Sequence, residues 1–134
     1  MKLKRAVTIK TIVTEDFKSK LKDELTGTLT RIDSVIQQLE FQLRRYVPEV
    51  AKADIEQAGR LRREIENERQ RHEGMKAEVS NRLQEATGLE IGSEYAQGTV
   101  EGEVEIAVGD NLLEKLSSAE VIIKDGVVQE IKEG

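Results

Sequence analysis

The chain has 134 residues, no cysteine, 3% aromatic side chains and a net charge of −5. That length allows one domain, or a domain with one long appendage, with a modest core. The missing cysteine excludes a disulfide framework and a thiolate zinc site, and the scarcity of rings argues against a deep aromatic pocket, so no cofactor is expected.

Charge is unevenly placed. Residues 1–84 carry 18 Lys and Arg against 14 Asp and Glu, whereas residues 85–134 carry 3 against 12, so the last fifty residues should repel nucleic acid. The opening MKLKRAVTIK is basic but lacks the apolar run of a signal peptide. No stretch approaches the roughly 20 apolar residues of a membrane span. A cytoplasmic protein without membrane contact is the expectation.

In chain order, KLKRAVTIKTIV is rich in β-branched residues, with Val7, Ile9 and Val13 on one face, and predicts a strand. Thr14 followed by Glu15 and Asp16 is a helix start: a hydroxyl for the first free N–H groups, then carboxylates against the positive end of the helix dipole. Apolar residues then recur at Phe17, Leu21, Leu25, Leu29, Ile32, Ile36, Leu39, Leu43 and Tyr46, a heptad seam on a helix about 45 to 50 Å long. Pro48 should end this helix or open its successor.

A second seam runs through Ala58, Leu61, Ile65, Glu68, His72, Met75, Val79, Leu83 and Ala86. Reversal near residues 47–52 would pair positions whose numbers sum to about 100, so that Leu39 faces Leu61, Ile36 faces Ile65, Leu25 faces Met75 and Leu21 faces Val79. Gly27 would then oppose Gly74, and looser winding is expected there. The arginine-rich run Arg60–Lys76 fits the outer flank of such a pair, because Arg60–Glu64, Arg62–Glu66 and Arg69–Glu73 are spaced i,i+4.

Gly88 should close the second helix. Short strands are expected over about 95–100 and 103–108, a brief helix capped by Asp110, and two strands around Asp125-Gly126, a strong hairpin signal. The expected fold is therefore α+β: an antiparallel coiled-coil helical hairpin (residues 14–87) inserted between the first strand and the rest of a small five-stranded barrel or rolled sheet (residues 1–13 with 88–134).

The segments VTEDFK (13–18), LEFQ (39–42), GSEYAQGTVEGEVEIAVGDNL (92–112) and KDGVVQEI (124–131) resemble the YlqD family of small bacterial proteins over nearly the whole chain. The resemblance implies no catalytic motif and transfers no functional residue. Members encoded beside ribosome and tRNA maturation factors make a translation-linked role the implied setting.

His72 is the only histidine, which excludes a His-rich metal set within one chain, and at a seam position it reads as a polar residue fixing register. A Glu68–His72 metal pair is geometrically allowed but disfavoured, and no metal site is expected. Gly98 and Gly102 lack the Lys-Ser or Lys-Thr of a phosphate loop and read as a bend or bulge. Glu101, Glu103 and Glu105 alternate as a half-exposed strand would, with no sign of the apolar pocket that an acid catalyst needs. No enzyme is expected.

The hairpin tip is the candidate partner surface: Phe41, off the seam, with Arg44, Arg45, Tyr46, Val47 and Val50. Aromatic and arginine residues together are the usual make-up of interface hot spots. A protein partner and a homodimer through Phe41 are weighed equally. The alternative is an RNA-binding protein using Arg44, Arg45, Arg60, Arg62 and Arg63 against phosphates.

Overall fold

A computed structural model describes residues 1–133. The element order is β1 (Lys2–Ile12), α1 (Glu15–Phe41), a π-helical turn (Gln42–Tyr46), α2 (Val47–Ala53), α3 (Ile55–Thr87), β2 (Glu94–Glu105), α4 (Leu112–Leu116), β3 (Ala119–Lys124) and β4 (Val127–Lys132). The chain divides into two compact units, Met1–Ser19 with the segment from Leu89 onward, and Lys20–Gly88.

In the first unit the strands form one mixed sheet in the order β2-β1-β3-β4, with β1 parallel to β3 and the other neighbours antiparallel. The register sorts most side chains by character, the buried Ile122 being the main apolar residue on the charged face. Leu3, Val7, Ile9, Val100, Val104, Val121, Ile123, Val128 and Ile131 share one face, and Arg5 is the charged residue among them. Lys2, Lys4, Lys10, Glu94, Glu101, Glu103, Glu105, Glu120, Glu130 and Lys132 share the other, where Lys10 lies 3.0 Å from Glu120 and 3.8 Å from Glu94.

The expected five-stranded barrel is corrected to an open four-stranded sheet. The two short strands anticipated after residue 94 are one twelve-residue strand, β2. Gly102 does not break it, because the glycine lies flush against β1, where a Cβ would come within 2.9 Å of Val7 Cγ2. A bulge opposite Ile9 and Lys10 absorbs one residue and lets pairing continue. With one strand fewer, β2 and β4 remain as free edges. The Asp125-Gly126 hairpin forms as expected, with both residues at positive φ (49° and 82°).

Thr14 caps α1, its Oγ1 accepting from Phe17 N at 3.1 Å and donating to Asp125 Oδ1 at 2.7 Å. Phe17 meets Tyr95 ring to ring at 5.6 Å. The expected Asp110 cap moves by one residue: Asn111 accepts from Glu114 N, and Asp110 instead accepts from Ala107 N within the preceding turn.

The second unit is a helical hairpin whose reversal lies later than expected. Helical backbone continues through Pro48 to Ala53, and Asp54 (φ −154°, ψ 104°) breaks it and caps α3 by accepting from Gln57 N at 3.0 Å. Folding back at Asp54 makes opposing numbers sum to about 108 instead of 100. The 2.8 Å ion pair between Asp33 and Lys76 marks that register.

Val47, Ala58 and Ile65 form the buried cluster, with Leu39, Leu43, Val50, Ala51 and Leu61 packed against it. Leu39 and Leu61 both pack against this cluster, but the shifted register no longer makes them direct partners as expected, and Met75, expected to face Leu25, is exposed. Nor do Gly27 and Gly74 loosen the winding, as α1 and α3 run through them unbroken. Among the described residues the surface ion pairs within α3 are Glu68–Arg71 (2.7 Å) and Glu78–Arg82 (3.1 Å), rather than those expected between Arg60 and Glu73.

Candidate functional surface on the helical hairpin

The candidate surface owes its form to Pro48. A proline in a continuing helix has no N–H to donate, and its ring crowds the carbonyl one α-turn earlier. The chain responds by widening: Val47 N–H bonds to Gln42 O, five residues back, which defines the π-helical turn. That turn takes up one extra residue. The seam expected to pass from Leu43 to Tyr46 passes from Leu43 to Val47, which is 1% exposed.

The same rotation turns Tyr46 outward. Tyr46 is 55% exposed and Phe41 56%, and Arg44 and Arg45 are exposed between them. Neither arginine has an ion-pair partner among the described residues. Beside Phe41 a shallow groove of about 640 Å³ is lined by Ser34, Gln37, Gln38, Phe41 and Gln42. Four of the six expected site residues, Phe41, Arg44, Arg45 and Tyr46, are therefore accessible. Val47 and Val50 are not, because the first is buried in the hairpin core and the second packs against it.

Ser34, Gln37 and Gln38 went unnoticed in the sequence, although their spacing to Phe41 puts them on the same stripe of α1. The true reversal also left a sign: Asp54 with Gln57 three residues later is a capping box. The exposed Ile55 sits immediately after it.

His72 is 14% exposed at its side chain, and its Nδ1 lies 2.8 Å from Glu68 O, while Glu68 pairs with Arg71. Among the described residues no three His, Asp or Glu side chains come together as a metal-binding group.

The two perturbed lysines have structural causes. Lys10 is held above its ordinary value by its hydrogen bond and charge interaction with Glu120, offset by burial and supported by Glu94. Lys76 is raised by its hydrogen bond to Asp33 and that carboxylate's charge. A lysine serving as base or nucleophile is shifted the other way. No helix among the described residues is long and apolar enough to cross a membrane.

Comparison with known proteins places this geometry in context. A family model described as YlqD protein matches residues 1–132. A protein of unknown function from Synechococcus sp. WH 8102, known from its crystal structure, is similar at 27% sequence identity and a TM-score of 0.85, over 99% of this chain and 95% of that one. No curated protein matches the chain.

Proposed function

Because the chain belongs to the YlqD family over residues 1–132, and because its hairpin carries a surface with no catalytic groups, we propose that it is a non-enzymatic interaction protein. Its hairpin, working as an antiparallel coiled coil, presents Phe41, Arg44, Arg45 and Tyr46 to a protein partner. One observation carries this reading. Two large aromatic residues, each more than half exposed, flank two unpaired arginines within six consecutive positions, on backbone anchored by the buried Val47. Aromatic anchors on a rigid element lose little conformational freedom on docking, and arginine adds several hydrogen-bond donors beside them.

Charge favours a protein over a polyanion. Residues 20–88 carry 13 Lys and Arg against 13 Asp and Glu, so the hairpin offers no net attraction to phosphates. A setting in ribosome or RNA maturation in the cytoplasm, the one implied by the family resemblance, is the first place to look for the partner.

Affinity capture from lysate with wild-type chain and with the double variant Phe41→Asp, Tyr46→Asp tests the proposal. Partners held by wild type should be lost from the variant while its helical signal in circular dichroism is unchanged; retention of the same partners contradicts it. The presence of arginines and exposed rings within one short segment also supports direct RNA binding as a second reading, since stacking and phosphate contacts would then act together. That reading requires RNA binding at low salt that falls steeply as salt rises, and an absence of low-salt binding rejects it.

A further inference from the structure

The two free edges of the sheet differ in a way that bears on what can pair with them. An edge strand offers unpaired N–H and C=O groups to any other strand, and proteins guard such edges with charge or irregularity. Edge β2 is guarded: Glu94, Glu101, Glu103 and Glu105 lie along it, so pairing with its own copy would gather carboxylates. Edge β4 is not. All six of its side chains are exposed, and three of them are large aliphatics, Val127, Val128 and Ile131, the last 63% exposed.

The register within β4 gives this edge a two-fold character. Val128 pairs with Ile123 and Ile131 with Val121, so a bulge of one extra residue, Gln129, brings Val128 and Ile131 to the same, apolar face. Val127 and Lys132 lie together on the other face, opposite Lys124 and Glu120. Read in either direction from its midpoint the strand shows the same order of faces. An isologous contact needs that property, because each position must meet its symmetry mate on one side of the sheet.

We infer that β4 pairs antiparallel with β4 of a second copy of this chain, centred between Gln129 and Glu130, to make a continuous eight-stranded sheet. In this register Val128 of each copy faces Ile131 of the other, Gln129 faces Glu130 and Lys132 faces Val127. No like charges oppose each other. Moving the centre onto Glu130 would set the two Glu130 carboxylates opposite and place Val128 against Lys132. The apolar faces of the two sheets then join across the seam, where Val128 of one copy and Ile131 of the other pack side by side.

Sedimentation velocity over a range of tens of micromolar tests the inference with wild type, Val128→Lys, Ile131→Lys and Phe41→Asp. The expected result is a wild-type dimer that persists in Phe41→Asp and is lost in both lysine variants, whose circular dichroism matches wild type because both positions are exposed. Three results overturn it: a wild type that is monomeric throughout, a dimer that survives either lysine, or a dimer that disappears with Phe41→Asp and so belongs to the hairpin.

Discussion

The hydroxyl of Thr14 has two partners at once. It accepts from Phe17 N to start α1 and donates to Asp125, in the turn that joins β3 to β4. Thr14→Ala removes both bonds and should destabilise the protein by about 1–2 kcal/mol in chemical denaturation, with Thr14→Ser recovering most of the loss. Arg5 presents the opposite case. It lies on the apolar face with its side chain 10% exposed, its contacts to Lys115 O and Glu133 Oε1 are long at 3.5 and 3.4 Å, and its Nε has no partner. An underpaired buried cation is poor value for stability, so Arg5→Met should leave stability unchanged or raise it by about 1 kcal/mol. A measured loss above about 2 kcal/mol would show that the long contacts matter more than the desolvation.

Lys10 and Lys76 make a prediction about alkaline pH. Both are raised in the folded protein above the ordinary 10.5, so each pairing stabilises the fold fully below that value, and its contribution disappears as pH rises through the folded value. Melting temperature should therefore fall above about pH 10.5. The double variant Lys10→Gln, Lys76→Gln should show a shallower alkaline fall than wild type; an identical fall would deny these pairs any part in it.

At the scale of elements, the π-helical turn decides which residue is core and which is surface. If Val47 holds the seam position, Val47→Ala should cost about 2 kcal/mol in denaturant unfolding, while Tyr46→Ala costs less than about 0.5 kcal/mol. Inverted costs would put Tyr46 back on the seam. Gly74 tests the winding of α3: a Cβ there meets nothing within 4 Å and the helix is regular, so Gly74→Ala should stabilise by about 0.5–1 kcal/mol.

The long helices were legible in the sequence because a 3,4 repeat of Leu, Ile and Val admits few other structures. The place of reversal was not, because Pro48 is a stronger breaker in isolation than in a helix free to widen by one residue. The error propagated into register, shifting every partner across the hairpin by about two turns. It also reaches the candidate surface: a reversal at Pro48 would leave Val47 and Val50 in an accessible loop, whereas reversal at Asp54 keeps both in helix against the hairpin core. In the sheet, Gly98 and Gly102 read as a bend or bulge, and the register shift does fall beside Gly98. What Gly102 provides instead is clearance for Val7 in a continuous strand, and clearance depends on a neighbour that single-strand reading does not see.

For the molecule as a whole, the two units have distinct surfaces. The sheet is amphipathic, with an ion-paired face opposite an aliphatic one, and the β4 edge continues that aliphatic face to the boundary of the unit. The hairpin is neutral overall, with Ile32, Ile36 and Ile65 buried, Ile55 exposed, and one aromatic and arginine patch (Phe41, Arg44, Arg45, Tyr46) exposed. The central claim is that this patch is where a protein partner docks. Site-specific photocrosslinking in living cells tests it most directly, with the photoreactive residue at position 41 and, as a control, at the exposed position 66 on α3. The account predicts a discrete protein crosslink from position 41 and none from position 66. Crosslinks to RNA alone, or protein crosslinks no stronger at 41 than at 66, would contradict it.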